Sequence, residues 1–258
     1  MNPLQIALGV VVGLMAGTLS GLFGVGGGVI TQPAVYALLG GTPIQAVATP
    51  LPVIFPTSVM AAYAYARAGE VSYRAARWGA GPGIVGATIG AYLTKFANPH
   101  VLLLVASTLI GLSGSQVIRG RTPSTPWEKG KTPVWKYGVI AFGAGFASGL
   151  LGVGGGIIIV PALTLLIGMP LKRALGTSLV LIAALVVPGT LVHAALGHID
   201  WTIFLVLVAG VIPGALLGSR IALGARERTL RLAVGTFLVA IAVVYGIEQI
   251  VSLVGDGG

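Results

Sequence analysis

Two glycine-rich stretches hold the residue types and spacing that could do chemistry. Ser20–Gly41 reads SGLFGVGGGVITQPAVYALLGG, and Ser148–Gly168, 128 positions later, reads SGLLGVGGGIIIVPALTLLIG. Gly24, Gly26, Gly27 and Gly28 in the first copy, and Gly152, Gly154, Gly155 and Gly156 in the second, let the backbone turn tightly and present successive N–H groups. A helix that starts after each triplet carries free N–H groups and about half a positive charge at its N-terminus. Two such tips brought together would suit a small anion, with each charge-assisted hydrogen bond contributing about 1.5–3 kcal/mol. Glycine has a second use: it lets helices touch and bend, and any one of these glycines is explained by that alone. The motif is not a dinucleotide fingerprint, because Val29 stands at its third position, and it lacks the Gly-Lys-Ser/Thr ending of a P-loop.

Hydroxyls near the tips are the next candidates. Thr49 follows the first stretch, and Thr177 with Ser178 follows the second. Each could donate to an oxyanion without adding fixed charge, or could bond the i−4 carbonyl of its own helix. Thr31 and Gln32 align with Ile159 and Val160, so a site using them is asymmetric. Gln32 could equally bond a neighbouring helix. Asp and Glu are absent from the central part of every apolar segment, which argues against carboxylate proton relays, cation or metal transport, and an intramembrane acid/base enzyme. His193 is the titratable group left for proton coupling, unless it is simply a neutral hydrogen-bonded histidine. With no cysteine there is no disulfide or thiolate site, and no metal or cofactor is expected.

The elements that must position these residues are membrane helices. Apolar residues make up 55% of the 258 and charged residues 8%, against roughly a quarter charged in soluble chains. Apolar runs near the roughly 20 residues needed to cross a bilayer recur at Leu4–Leu22, Val47–Ala66, Val101–Ile118, Ala174–Ala195, Trp201–Leu217 and Leu230–Val254. The first run lacks a basic n-region and its motif recurs mid-chain, so it reads as a retained helix rather than a signal peptide. The 128-residue offset also pairs Pro33/Pro161, Thr49/Thr177, Gly69/Gly197, Gly86/Gly214 and Gly90/Gly218. The expected organisation is one transmembrane repeat over 1–118, a polar, proline-punctuated linker over 119–136, and a second repeat over 137–258. Each repeat reads as a helix, the glycine break, a short segment (Val29–Leu39 or Ile157–Ile167), and three longer helices. The short segments are too brief to span and read as arms of glycine-tipped hairpins. Gly9, Gly13, Gly17 and Gly21, with Ala141, Gly145 and Gly149, Gly86/Gly90 and Gly214/Gly218, form small-xxx-small ridges for close packing.

Charge predicts the topology. Of fifteen Lys and Arg, fourteen fall into the loops around Arg67–Arg77, Arg119–Lys136, Lys172–Arg173 and Arg220–Arg231, leaving Lys95 on the other side. Basic loops face the cytoplasm, so the net charge of +9 records orientation rather than a nucleic-acid partner. Gly40–Gln45 then lies outside and Gly168–Arg173 inside, as do the N- and C-termini and the linker, respectively. The repeats are therefore inverted, the plan of secondary transporters that bind substrate near the midplane.

With "GLFGVGGG" and "GLLGVGGG", each followed by a short apolar stretch and a proline, and then "AVATP" and "ALGTS", nearly the whole chain resembles the TauE/SafE family of sulfite and organosulfonate exporters. The resemblance implies a multi-pass protein of the bacterial inner membrane that moves a small sulfur-containing anion, such as sulfite or sulfoacetate, by alternating access. The two glycine motifs and Thr49, Thr177 and Ser178 fall on the family's motif positions, and Pro50 stands where the second copy has Ser178. The expected function is export, with the lipid bilayer as surroundings and no nucleic acid. An anion channel, proton-coupled anion uptake and a homodimer stay open.

Overall fold

The computed structural model describes residues 2–93, 99–120, 132–151 and 156–255. Lys95, linker residues 121–131, and Gly152, Gly154 and Gly155 of the second motif lie outside the described residues. Among those described, eleven helices account for the regular structure: α1 (Pro3–Phe23), α2 (Gly28–Ala37), α3 (Pro43–Ala48), α4 (Pro50–Arg67), α5 (Tyr73–Leu93), α6 (Pro99–Ile118), α7 (Val134–Leu151), α8 (Gly156–Ile167), α9 (Leu171–Ala195), α10 (Trp201–Gly224) and α11 (Glu227–Gly255). Among the described residues, four stretches are long and apolar enough to cross a membrane: Pro3–Phe23, Ile44–Arg67, Leu171–Ala195 and Trp201–Gly224. The molecule has the architecture of an all-helical, polytopic membrane protein.

Local chemistry sets the helix ends. Asn2 and Gln5 form a capping box at the start of α1, with Pro3 at the first helical position, and Gly24 closes the helix in the left-handed region at φ +70°. Gly26 and Gly27 also have positive φ, and α2 starts at once behind them. α2 then runs back along α1: its start lies beside Ala16 and Ser20, and Leu39, just past its end, lies beside Gly9. α3 and α4 form one helix interrupted at Thr49, whereas the corresponding stretch of the second half is the unbroken α9. The cause is Pro50, which has no N–H to donate back to Ala46. Ser178 occupies that place in α9 and keeps its donor.

The packing repeats at the 128-residue offset. α1 lies parallel to α10: Gly13, Gly17 and Gly21 meet the backbone at Leu207, Val211 and Ala215, and Gly210, Gly214 and Gly218 sit against α1 in return. α7 lies parallel to α5 in the same way, with Gly145 against Gly83, and Gly86 against Phe142. At these seams a Cβ would collide with the facing backbone, so the ridges work as packing surfaces. α6 and α11 run antiparallel, Gly111 facing Ala242 and Gly235 facing Ile118. α4 and α9 lie together in the middle and are also antiparallel, because Thr49 at the start of α4 meets Asp200 just past α9, while Thr177 near the start of α9 meets Ser72 just past α4.

The basic loops gather at one end. Arg173 Nη2 donates to the Gly69 carbonyl at 3.0 Å, its Nε lies 3.6 Å from the Glu70 carboxylate, and Lys172 Nζ donates to the Leu223 carbonyl at 2.6 Å. Gly40 lies beside Gln5, and Gly41 beside Ile203. Gly40–Gln45 and Gly168–Arg173 thus fall at opposite ends of α10.

Candidate functional site

The two glycine motifs meet. A Cβ on Gly156, at the start of α8, would run into the Gly24 carbonyl and stand 2.7 Å from Val25 Cα. Gly26 and Gly28 pack against Ile54, and Gly26 and Gly156 against Ile182. Ile54 and Ile182 are themselves equivalent at the 128-residue offset, and both are buried. α2 and α8 therefore begin close together in the interior, and no side chain caps the α2 N-terminus at Gly27. Gly27 has φ +80° and faces Ala16 and Ser20 of α1. A residue with a Cβ would be strained there.

The hydroxyls divide by role. Ser178 reaches the tip: its Oγ shares its proton between the Leu175 carbonyl at 2.8 Å and the Gly24 carbonyl at 3.1 Å. Thr31 is buried and its hydroxyl goes back to its own helix, at 3.3 Å from the Gly27 carbonyl and 3.4 Å from that of Gly28. Gln32, next to Thr31 on α2, is half-buried. Thr49 and Thr177, the latter next to Ser178 in α9, act as braces. Thr49 Oγ1 accepts from the Asp200 N–H at 3.1 Å, and Thr177 Oγ1 accepts from the Ser72 N–H at 2.9 Å. Asp200 and Ser72 are equivalent at the offset too, so the two bonds are one bond made twice. Each satisfies an otherwise orphaned amide at the start of a helix, α10 in one case and α5 in the other.

A cavity of about 340 Å³ lies between α4, α5, α7 and α9. Val47 and Val192, 49% and 57% exposed, stand at its mouth, and Leu185 and Val186 are buried at its floor. Ser148, Gly149 and His193 also line it. His193 Nδ1 lies 3.2 Å from His198 Nδ1, so the two rings share one proton position whose owner depends on the tautomers. Of the candidates, the structure brings together Gly24, Gly26, Gly27, Gly28, Gly156 and Ser178. His193 sits in the cavity wall, and Thr31, Thr49 and Thr177 hold the scaffold.

Residue reasoning passed over Tyr65, Ser20 and Ser58. Tyr65 is wholly buried on α4 and its hydroxyl donates to the Gly21 carbonyl at 2.9 Å. Ser20 and Ser58 are wholly buried, and their hydroxyls have no hydrogen-bond partner among the described residues. A signal was present in the offset: Tyr65 is the counterpart of His193, Gly21 of Gly149, Ser20 of Ser148, and Ser58 of Val186.

Comparison with known proteins agrees with this architecture. The family model described as "Sulfite exporter TauE/SafE" matches residues 9–245. A probable membrane transporter protein, YunE, of Bacillus subtilis is 31% identical over 259 residues, covering 90% of this chain and 94% of that protein. A probable membrane transporter protein of Xylella fastidiosa is 31% identical over 237 residues, covering 90% and 91%. The probable membrane transporter protein MJ0441 of Methanocaldococcus jannaschii is 26% identical over 259 residues, covering 91% and 93%. No solved structure matches the chain. The chain belongs to the sulfite exporter TauE/SafE family of membrane transporters.

Proposed function

We propose that the protein exports a small sulfur-containing anion, sulfite or an organosulfonate such as sulfoacetate, by alternating access between two inverted repeats, 1–118 and 137–258. The anion is held near the midplane where the glycine tips adjoin, by the N–H groups at the starts of α2 and α8 with Ser178 alongside. The linker 119–136 and the basic loops face the cytoplasm of a bacterial cell, and both termini face outward. One observation carries the reading: pairs equivalent at the 128-residue offset make reciprocal bonds, Thr49 with Asp200 and Thr177 with Ser72, at opposite ends of two antiparallel central helices. Such pairing supports a pseudo-twofold axis in the membrane plane, the symmetry that lets one site face either side in turn.

Amide donors suit this cargo. An anion in low-dielectric surroundings gains from fixed dipoles, and tips without fixed positive charge hold it weakly enough to release it. An inside-negative potential contributes about 2.3 kcal/mol per charge per 100 mV to efflux, so export needs no coupling carboxylate. Purified protein in liposomes should therefore release loaded sulfite or sulfoacetate faster under an inside-negative potential. A protein that moves none of sulfite, sulfate, sulfoacetate, taurine or phosphate would sink the proposal. Conductance far above carrier rates would make it a channel. His193 in the cavity wall favours a second reading, proton-coupled uptake, in which an imposed pH gradient rather than voltage sets the direction.

A further inference from the structure

Among the described residues, this cavity lies on the His193 side of the tips. Of its counterpart positions at the 128-residue offset, Ser20, Ser58, Ala61, Tyr65, Leu175 and Leu179 are wholly buried, while Met60, Ala64 and Leu216 are half-buried. Where His193 stands in the wall of an open space, Tyr65 fills the equivalent space and donates to the Gly21 carbonyl at 2.9 Å. Ser20 and Ser58 are shut in with it, and neither hydroxyl has a partner among the described residues. Ser20 lies beside the α2 N-terminus, 3.6 Å from where a Cβ on Gly27 would stand. Buried hydroxyls are almost always hydrogen-bonded, so two orphans in one closed region mark a place built to be opened to water or ligand.

We infer that Ser20 and Ser58 line a second vestibule, sealed in this conformation by the Tyr65–Gly21 bond, which opens toward the basic-loop end and there ligates a small oxyanion through the two hydroxyls. The inference rests on the alternating-access reading above and assigns its other half. Tyr65 is the latch. Breaking its bond and swinging the ring aside gives the Tyr65 side the shape the His193 side already has. An oxyanion leaving the tips then meets Ser20 first, at the level of the α2 amides, and Ser58 from the facing helix.

The chain has no cysteine, so single cysteines can be labelled without background. Ser58→Cys and Ser20→Cys, each in proteoliposomes, should react with a negatively charged, membrane-impermeant methanethiosulfonate only from the basic-loop side. Adding Tyr65→Phe, which keeps the ring and removes the latch bond, should speed that reaction about fivefold. Ser148→Cys, the counterpart of Ser20, should react from the opposite side. Ser58→Ala should leave the melting temperature unchanged or higher, because it removes an orphan hydroxyl, while raising KM for the exported anion about tenfold. Reaction of Ser58→Cys or Ser20→Cys from the His193 side, no reaction from either side in protein that transports, or an unchanged KM in Ser58→Ala would each overturn the inference. Labelling from the basic-loop side in protein that moves none of the tested anions would support the vestibule and sink the substrate reading instead.

Discussion

The His193 side and the Tyr65 side of this molecule are built from equivalent positions and end in opposite states. On the first, Ser148, Gly149 and His193 border a cavity of about 340 Å³; on the second, Ser20, Gly21 and Tyr65 are packed solid. Helix pairing does not account for the difference, since α1 with α10 and α7 with α5 share one geometry. Side-chain reach does. A tyrosine at position 65 carries its hydroxyl far enough to bond the Gly21 carbonyl of the facing helix, while His193 turns to His198 instead. A duplicated scaffold can thus be closed at one end and open at the other by a single latch, at a cost of about 0.5–1.5 kcal/mol for the bond that must break.

If the scaffold is shared and only the latch differs, counterpart substitutions in the helix seams must cost the same on both sides. Gly86→Leu and Gly214→Leu test this with the largest expected effect. Each would drive a side chain into facing backbone, at Phe142 in one case and Leu14 in the other, with no flexible group able to yield. Overpacking costs about 1–3 kcal/mol and more where the neighbour is backbone, so both proteins should lose a large and similar part of their thermal stability in detergent. A large loss in one and a small loss in the other would show that the seams are not equivalent.

The next effect falls on transport. His193→Tyr gives the open side the residue that seals its counterpart, and its hydroxyl should reach the Gly149 carbonyl as Tyr65 reaches Gly21. A new bond of about 1 kcal/mol shifts the balance of open and closed forms about fivefold. Anion flux in proteoliposomes should fall by a similar factor, together with labelling of Ser148→Cys. Unchanged flux with unchanged labelling would mean that reach alone does not decide which side is sealed.

How much of this was legible beforehand depended on whether a feature repeats locally. The glycine ridges, the short segments behind each motif and the division of basic loops all follow from spacing along one chain segment, and the helices appear where the apolar runs lie. The interruption at Thr49 was written in Pro50, whose place is taken by Ser178 in the unbroken helix. Thr31 showed the limit of residue type: its hydroxyl suited an anion, yet its own helix claims it. Bonds such as Asp200 to Thr49, 151 residues apart, leave no local pattern, and neither does the latch between Tyr65 and Gly21. Only the offset connects them, and reading it requires knowing first which helices touch.

The braces give a smaller and more discriminating test. Thr177→Val and Thr49→Val keep side-chain volume and remove the oxygen that accepts from Ser72 or Asp200. An amide left unpaired in a buried place costs about 1–3 kcal/mol, and one that water can reach costs less. Ser72 is buried, whereas Asp200 is half-buried and its carboxylate already caps Thr202 and Ile203. Thr177→Val should therefore lower the melting temperature more than Thr49→Val. The reverse order would mean that the end bearing Gly40–Gln45 carries the tighter junction.

The smallest effect is expected where the basic end joins the two halves. Arg173 lies 3.6 Å from Glu70 and donates to the Gly69 carbonyl, with the two side chains 25% and 29% exposed. Water and salt screen an ion pair this open, so Glu70→Gln should cost below about 1 kcal/mol, and less still as ionic strength rises. Arg173→Ala removes the bond to Gly69 as well and should cost more than Glu70→Gln at every salt concentration. Opening of the Tyr65 side would separate Gly69 from Arg173, so both variants should also speed labelling of Ser58→Cys from the basic-loop side, in the same order as their effects on stability. Faster labelling without loss of stability would place this pair among the contacts that hold the Tyr65 side shut, and slower labelling would mean that opening takes place with the Arg173 junction intact.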